Sequence, residues 1–182
     1  MRCLSLLILL ALLGSPLSAQ APDTTLRAYP AQSGMASRLV GAQYDSQYDK
    51  TVLRLGPVAL DSTLSMSALV ALDGRVVTKA ADGVVLTFWS TAADRPLATN
   101  RAVVLSLGAT DFDLGAAWLT PQPRPGYIEV CMKSLSLGLW LAFASSEMAS
   151  VRVGGRTFPV TAEIREAVRD FASRMAPAGS AK

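Results

Sequence analysis

Residues Val58 to Leu72, V-A-L-D-S-T-L-S-M-S-A-L-V-A-L, decide the fold. The even positions are Val58, Leu60, Ser62, Leu64, Met66, Ala68, Val70 and Leu72, and seven of those eight are apolar. The odd positions Ala59, Asp61, Thr63, Ser65, Ser67, Leu69 and Ala71 are mostly polar or small. A period of two is what a strand with one buried face requires, because successive side chains leave opposite faces of a sheet. One long strand is therefore expected here, with Leu64, Met66 and Val70 pointing inward.

Outward from that run, strand and turn signals recur. Upstream, Thr51–Leu55 forms a first strand, which Gly56-Pro57 punctuates; it follows a short Y-D-x-x-Y-D echo at Tyr44–Asp49. Downstream, Asp73-Gly74 offers a hairpin turn with Arg75–Thr78 as the return, and Asp82-Gly83 a second turn. Val84–Ser90 is a β-branched and aromatic strand, Thr91–Asn100 a loop, and Arg101–Leu107 alternates again. Asp111–Gly115 carries turn chemistry, and Ala116–Leu119 forms a short strand. Pro121, Pro123, Pro125 and Gly126 make a stiff surface loop, since proline cannot donate to a ladder. Tyr127–Lys133 is a strand with Ile128, Val130 and Met132 on one face and Tyr127, Glu129 and Cys131 on the other.

Ser136–Met148 carries two patterns. Leu135, Leu137, Leu139, Leu141 and Phe143 alternate as in a strand, yet Leu, Ala, Met and Glu dominate and Ser136 is placed to cap. The composition favours a short buried helix. Val151–Val153 and Thr157–Val160 flank Gly154-Gly155 as a hairpin, and Thr161 caps a final helix with Glu163 in its first turn. Ile164, Val168, Phe171 and Met175 recur at helical spacing along one apolar stripe.

The sum is a mainly β protein: an antiparallel sandwich or distorted barrel of seven to nine strands, with one short buried helix and a C-terminal amphipathic helix. The run S-V-R-V-G-G-R-T-F-P-V-T, followed by a helix ending R-D-F-A-S-R-M, resembles the C-terminal third of exported bacterial proteins to which no activity is assigned. That resemblance implies export and a strand-to-helix ending.

The N-terminus points the same way. Arg2, the apolar stretch Leu4–Leu13, the breaker Gly14-Ser15-Pro16 and the small-residue cleavage site offered by Leu17-Ser18-Ala19 have the anatomy of a secretory signal peptide over residues 1–19. A membrane anchor needs about 20 apolar residues, and this stretch falls well short. Cys3 precedes the apolar stretch, so it is not placed for lipid attachment. The expected organisation is a leader at 1–19, a flexible lead-in at 20–43, one domain at 44–176 and a frayed tail at 177–182. The location expected is secreted or periplasmic, with no stable membrane anchor after cleavage.

The inventory for catalysis is thin. The chain has no histidine, which removes Ser-His and Cys-His mechanisms and imidazole metal ligands. There is no G-x-S-x-G elbow and no S-x-x-K. After cleavage only Cys131 remains, so no internal disulfide forms, and it is expected to be buried. Asp111-x-Asp113 lacks the third ligand and distal glutamate of a calcium loop, so it is expected to shape a turn; no metal and no cofactor are expected. Charged residues make up 17% of the chain, against about 25% in ordinary domains. With a net charge of +3 and no basic run, nucleic acid is not an expected partner.

These features suggest a non-enzymatic module that binds a protein or glycan partner through surface loops. Trp118, Tyr127, Asp111 and Asp113 are the candidate ligand-binding residues, beside the loops 108–115 and 120–126. Two alternatives stand beside it. One is a secreted hydrolase using a carboxylate pair such as Glu129 and Glu147, although Glu129 is expected to point outward or to pair with Arg152. The other is an envelope-assembly component that pairs edge strands with another chain.

Overall fold

The computed structural model describes residues 38–76, 78–121 and 125–175; the leader expected at 1–19 and the tail expected at 177–182 lie outside the described residues. In chain order the strands are β1 (Val40–Asp45), β2 (Lys50–Ala59), β3 (Leu64–Asp73), β4 (Gly83–Ser90), β5 (Ala102–Leu107), β6 (Thr110–Ala116), β7 (Trp118–Leu119), β8 (Glu129–Ser136), β9 (Ala149–Val153) and β10 (Arg156–Pro159). Three helices join them: α1 (Pro96–Thr99) before β5, α2 (Leu137–Ser145) after β8, and α3 (Ala162–Ser173) at the end. The strands form two antiparallel sheets, ordered β1-β2-β3-β4-β8-β7 and β10-β9-β5-β6. The fold is mainly β and sandwich-like, with more strands than the turn signals suggested.

β3 has the expected faces: Leu64, Met66, Ala68, Val70 and Leu72 are all buried. The run from Val58 to Leu72 is nevertheless two strands. Val58 and Ala59 end β2 opposite Met66 and Ser65. Each pair is an even number of positions apart, which keeps even-numbered residues on the inner face of both strands, so the alternation runs through the turn without a break. Only Asp61 betrays it. Its carboxylate accepts from the Thr63 and Leu64 N–H groups, both at 2.7 Å.

Gly56-Pro57 does not end a strand but lies inside β2, at a bulge where the register with β3 shifts between Leu55 and Val58. The extra residue switches the inward set from Leu53 and Leu55 to Val58. Gly56 has φ +80, and a Cβ there would lie 2.8 Å from the Val58 nitrogen and 3.0 Å from the Met66 oxygen, so only glycine fits.

Three further expectations change. The lead-in does not extend to residue 43, because Val40–Gln43 already pair with β2; pairing to a neighbour overrides their weak strand propensity. Asp73-Gly74 makes no hairpin: its Gly74 N–H bonds to the Asp49 carbonyl, and residues 75 and 76 are not strand. Asp111–Gly115 is not a turn but most of β6, paired to β5 along its length. The turn is Gly108-Ala109, and the aspartates sit on an exposed edge strand where charge is tolerated.

Both late helices form as expected. The Ser136 hydroxyl accepts from the Leu139 N–H and caps α2, and the Thr161 hydroxyl accepts from the Ile164 N–H and caps α3. Trp140 of α2 packs against Phe143 and against Phe171 of α3, with ring centroids 5.6 and 5.4 Å apart. Ile164, Ala167, Val168 and Phe171 turn toward the same core, which also receives Val103, Leu105, Val151 and Val153 from the four-stranded sheet. The inner face of the large sheet is therefore filled from both sides of the chain. Arg156 of β10 ties the second sheet to the β2–β3 turn through the Asp61 carboxylate at 2.8 Å. Among the described residues no helix is long and apolar enough to cross a membrane.

Candidate functional site on the outer face of the six-stranded sheet

With the inner face of the large sheet packed, its outer face is defined by register. Directly opposed residues point the same way, so two rows can be followed across the strands. One is Ser65, Trp89 and Val130; the other is Ser67, Thr87, Met132 and Trp118. Thr87, Trp89 and Val130 are buried, Ser65, Ser67 and Met132 half-buried, and Trp118 is 46% exposed on the short edge strand β7.

Trp89 is held from two sides. Its indole Nε1 donates to the Ser67 hydroxyl oxygen at 2.8 Å, and the Tyr127 ring packs on it at 5.1 Å between centroids. That contact places Tyr127, from the segment preceding β8, on the same face as Trp118. Ile128 beside it is exposed. Trp89 and Trp140 are both buried, yet they serve different surfaces: Trp140 lies in the central core, Trp89 on the outer face.

The structure brings Trp118 and Tyr127 together and separates them from Asp111 and Asp113. The two aspartates are opposite Ser106 and Val104, on the outer side of the four-stranded sheet. An Asp111 carboxylate oxygen is 4.0 Å from the Arg152 guanidinium, and Asp113 accepts from the Gly115 N–H at 2.8 Å. Both therefore act locally at an exposed edge. The residues that sequence reasoning missed are Met132, Ser65 and Ser67. Met132 was assigned to a face of its strand, but only the pairing of β8 with β4 and β7 shows which side chains stand next to it.

The two carboxylates of the hydrolase reading both hold structure. Glu129 is 3% exposed and points inward, correcting the outward or Arg152-paired expectation. It lies on the core face of β8 with Cys131 and Leu135, and accepts from the backbone N–H groups of Leu97 and Ala98 at 3.1 and 2.7 Å. Those donors open α1, whose first turn has no side-chain cap of its own. Glu147 accepts from Arg165 at 2.7 Å and from Arg169 at 2.6 Å. Arg169, then Arg165, hold its carboxyl below the ordinary value, the opposite of what a general acid needs.

Cys131 is fully buried as expected, and burial together with the nearby Glu129 carboxylate pushes its thiol up to about 11. Such a thiol is a packing group rather than a nucleophile. Among the described residues no group of three Cys, Asp or Glu side chains is placed to hold a metal ion. Comparison of the chain with family models, curated proteins and solved structures finds no match to any of them.

Proposed function

We propose that this chain is an exported module that works by binding, and that the outer face of the six-stranded sheet around Trp118 is its contact surface. The observation that carries this is Trp118 itself: a large aromatic side chain left 46% exposed on a strand, in a row with Met132 and Thr87. An aromatic group fixed on a sheet offers contact area at little further entropic cost, which is the property of a binding anchor. The leader pattern at residues 1–19 supports export.

Against the carboxylate hydrolase stands the use made of Glu129 and Glu147. Each already accepts two donors in supporting the scaffold, one at α1 and the other at α3. The direct test is a panel of ester, glycoside, phosphate ester and peptide substrates offered to the mature protein. No turnover above background is expected. Sustained turnover that disappears in Glu147→Gln, a variant that leaves the buried Glu129 clamp intact, would overturn the proposal.

A further inference from the structure

We infer that the free edge of β1 is a self-association surface, which pairs antiparallel with β1 of a second copy about a two-fold axis at Ala42. Four strands end the two sheets: β1 and β7 in the six-stranded sheet, β10 and β6 in the other. Three of them are guarded against edge pairing by shortness, proline, charge or a bulge. β7 has two residues, and β10 opens on Arg156 and closes on Pro159. β6 carries Asp111 and Asp113, with a register shift that leaves Leu114 unpaired. β1 has no such guard from Val40 to Tyr44. That run, V-G-A-Q-Y, is uncharged, free of proline and in unbroken register with β2.

One bond fixes where its backbone groups point. The Leu39 carbonyl accepts the Gly56 N–H at 2.8 Å, so in this register Leu39, Gly41, Gln43 and Asp45 turn their backbone groups toward β2. The N–H and C=O groups of Val40, Ala42 and Tyr44 then point the other way, to an edge that no described strand covers. Antiparallel pairing about Ala42 matches all three. Ala42 meets Ala42, and Val40 of each copy meets Tyr44 of the other. Three hydrogen-bonded pairs exchange two bonds each, six in all. Moving the axis by one residue matches two residues of β1 and leaves four bonds.

Side chains agree with that axis. Ala42 is small where the two copies come closest, and Val40 beside Tyr44 is a β-branched and aromatic pair, a favourable combination across strands. Charge agrees as well. The same register brings the exposed Arg38 level with Ser46 of the other copy, in the acidic turn between Asp45 and Asp49. Within their own chain Arg38, Asp45 and Asp49 have no ion-pair partner among the described residues. One such contact at each end of the ladder favours a second copy over an unrelated strand. The inference does not rest on the reading of the Trp118 face, yet it leaves that face open, because β7 is the far edge of the same sheet. The two-fold stands perpendicular to the joined sheet, so the Trp118 faces of both copies lie on one side of it.

The test is sedimentation equilibrium of the mature protein from about 1 μM to 1 mM, the range in which a small strand-pair interface associates. A monomer–dimer equilibrium is expected. Ala42→Pro deletes an N–H that makes no bond to β2, and should raise the dissociation constant by about tenfold or more. Arg38→Glu should raise it by about threefold or more at low salt, and by less at high salt. Amide exchange reads the register. Protection of Val40, Ala42 and Tyr44 should rise with protein concentration far more than that of Gly41 and Gln43, which bond to β2. A monomer across the whole range, or a dimer with the parent's dissociation constant in both variants, would overturn the inference. So would full protection of the three amides at the lowest concentration, since the edge would then be covered within its own chain. If Ala42→Pro lowers the urea midpoint, Arg38→Glu and the exchange pattern decide.

Discussion

Replacing Glu129 by alanine should destabilise the domain strongly without touching the exposed face. The side chain is almost fully buried, and its two oxygens take the Leu97 and Ala98 N–H groups at 3.1 and 2.7 Å. A hydrogen bond to a charged acceptor contributes about 1.5–3 kcal/mol, and both donors would be left buried or partly buried without a partner. Glu129→Ala is therefore expected to cost about 3–5 kcal/mol, or about 10 °C or more in Tm for a domain of this size. Glu129→Gln keeps one carbonyl oxygen but turns an amide NH2 toward the other donor, so its cost should be smaller, about 2 kcal/mol. The assay is equilibrium urea unfolding combined with amide hydrogen exchange. Exchange at Leu97 and Ala98 should accelerate in Glu129→Ala beyond the change in global stability. A loss under about 0.5 kcal/mol, with exchange at those amides unchanged, would refute the clamp. Full stability with lost binding or turnover would make Glu129 a functional group instead.

Three further outcomes follow from the packing and electrostatics. Phe171→Ala removes a fully buried ring that touches Trp140 and should cost about 3–5 kcal/mol in urea unfolding. The Cys131 thiol, raised from 9.0 to about 11, should react with a disulfide reagent roughly a hundredfold slower in the native protein than in the unfolded chain, before any steric effect. Burial pushes the Asp61 carboxyl up, but the hydrogen bonds from Thr63 and Leu64 and the Arg156 charge outweigh it and the net shift is downward. A carboxyl depressed in the folded state contributes stability that is present above its unfolded value of 3.8 and is lost as pH falls through the folded value. Urea midpoints measured over that acid range should fall less steeply for Asp61→Asn than for the parent.

The elements that were legible in the chain are those whose signal is local. The inward set of β3, the Ser136 and Thr161 caps, and the stripe Ile164, Val168 and Phe171 each follow from side-chain spacing or one hydroxyl, and the fold uses all of them. What was not legible depends on partners distant in sequence. The turn at Asp61 hid because an even separation between paired residues preserves the alternation, and β6 hid because its aspartates face solvent on an edge strand. Glu129 was misplaced for a related reason. Its acceptors' partners lie some thirty residues upstream in α1, and a carboxylate on a strand gives no sign by itself that backbone donors await it inside. Trp118 and Tyr127 could be named from their types and their place beside the proline-rich loop. Their common face came only from the order β4-β8-β7.

The claim that the sheet face around Trp118 is a binding surface is tested most directly by hydroxyl-radical footprinting of the mature protein with and without an envelope extract from its host. Met148 is 75% exposed and sits before β9, away from the two rows, so it serves as the internal reference. Labelling of Trp118 and Met132 should fall in the extract while labelling of Met148 stays constant. Equal labelling of all three with and without extract, or protection of Met148 alone, would contradict the account.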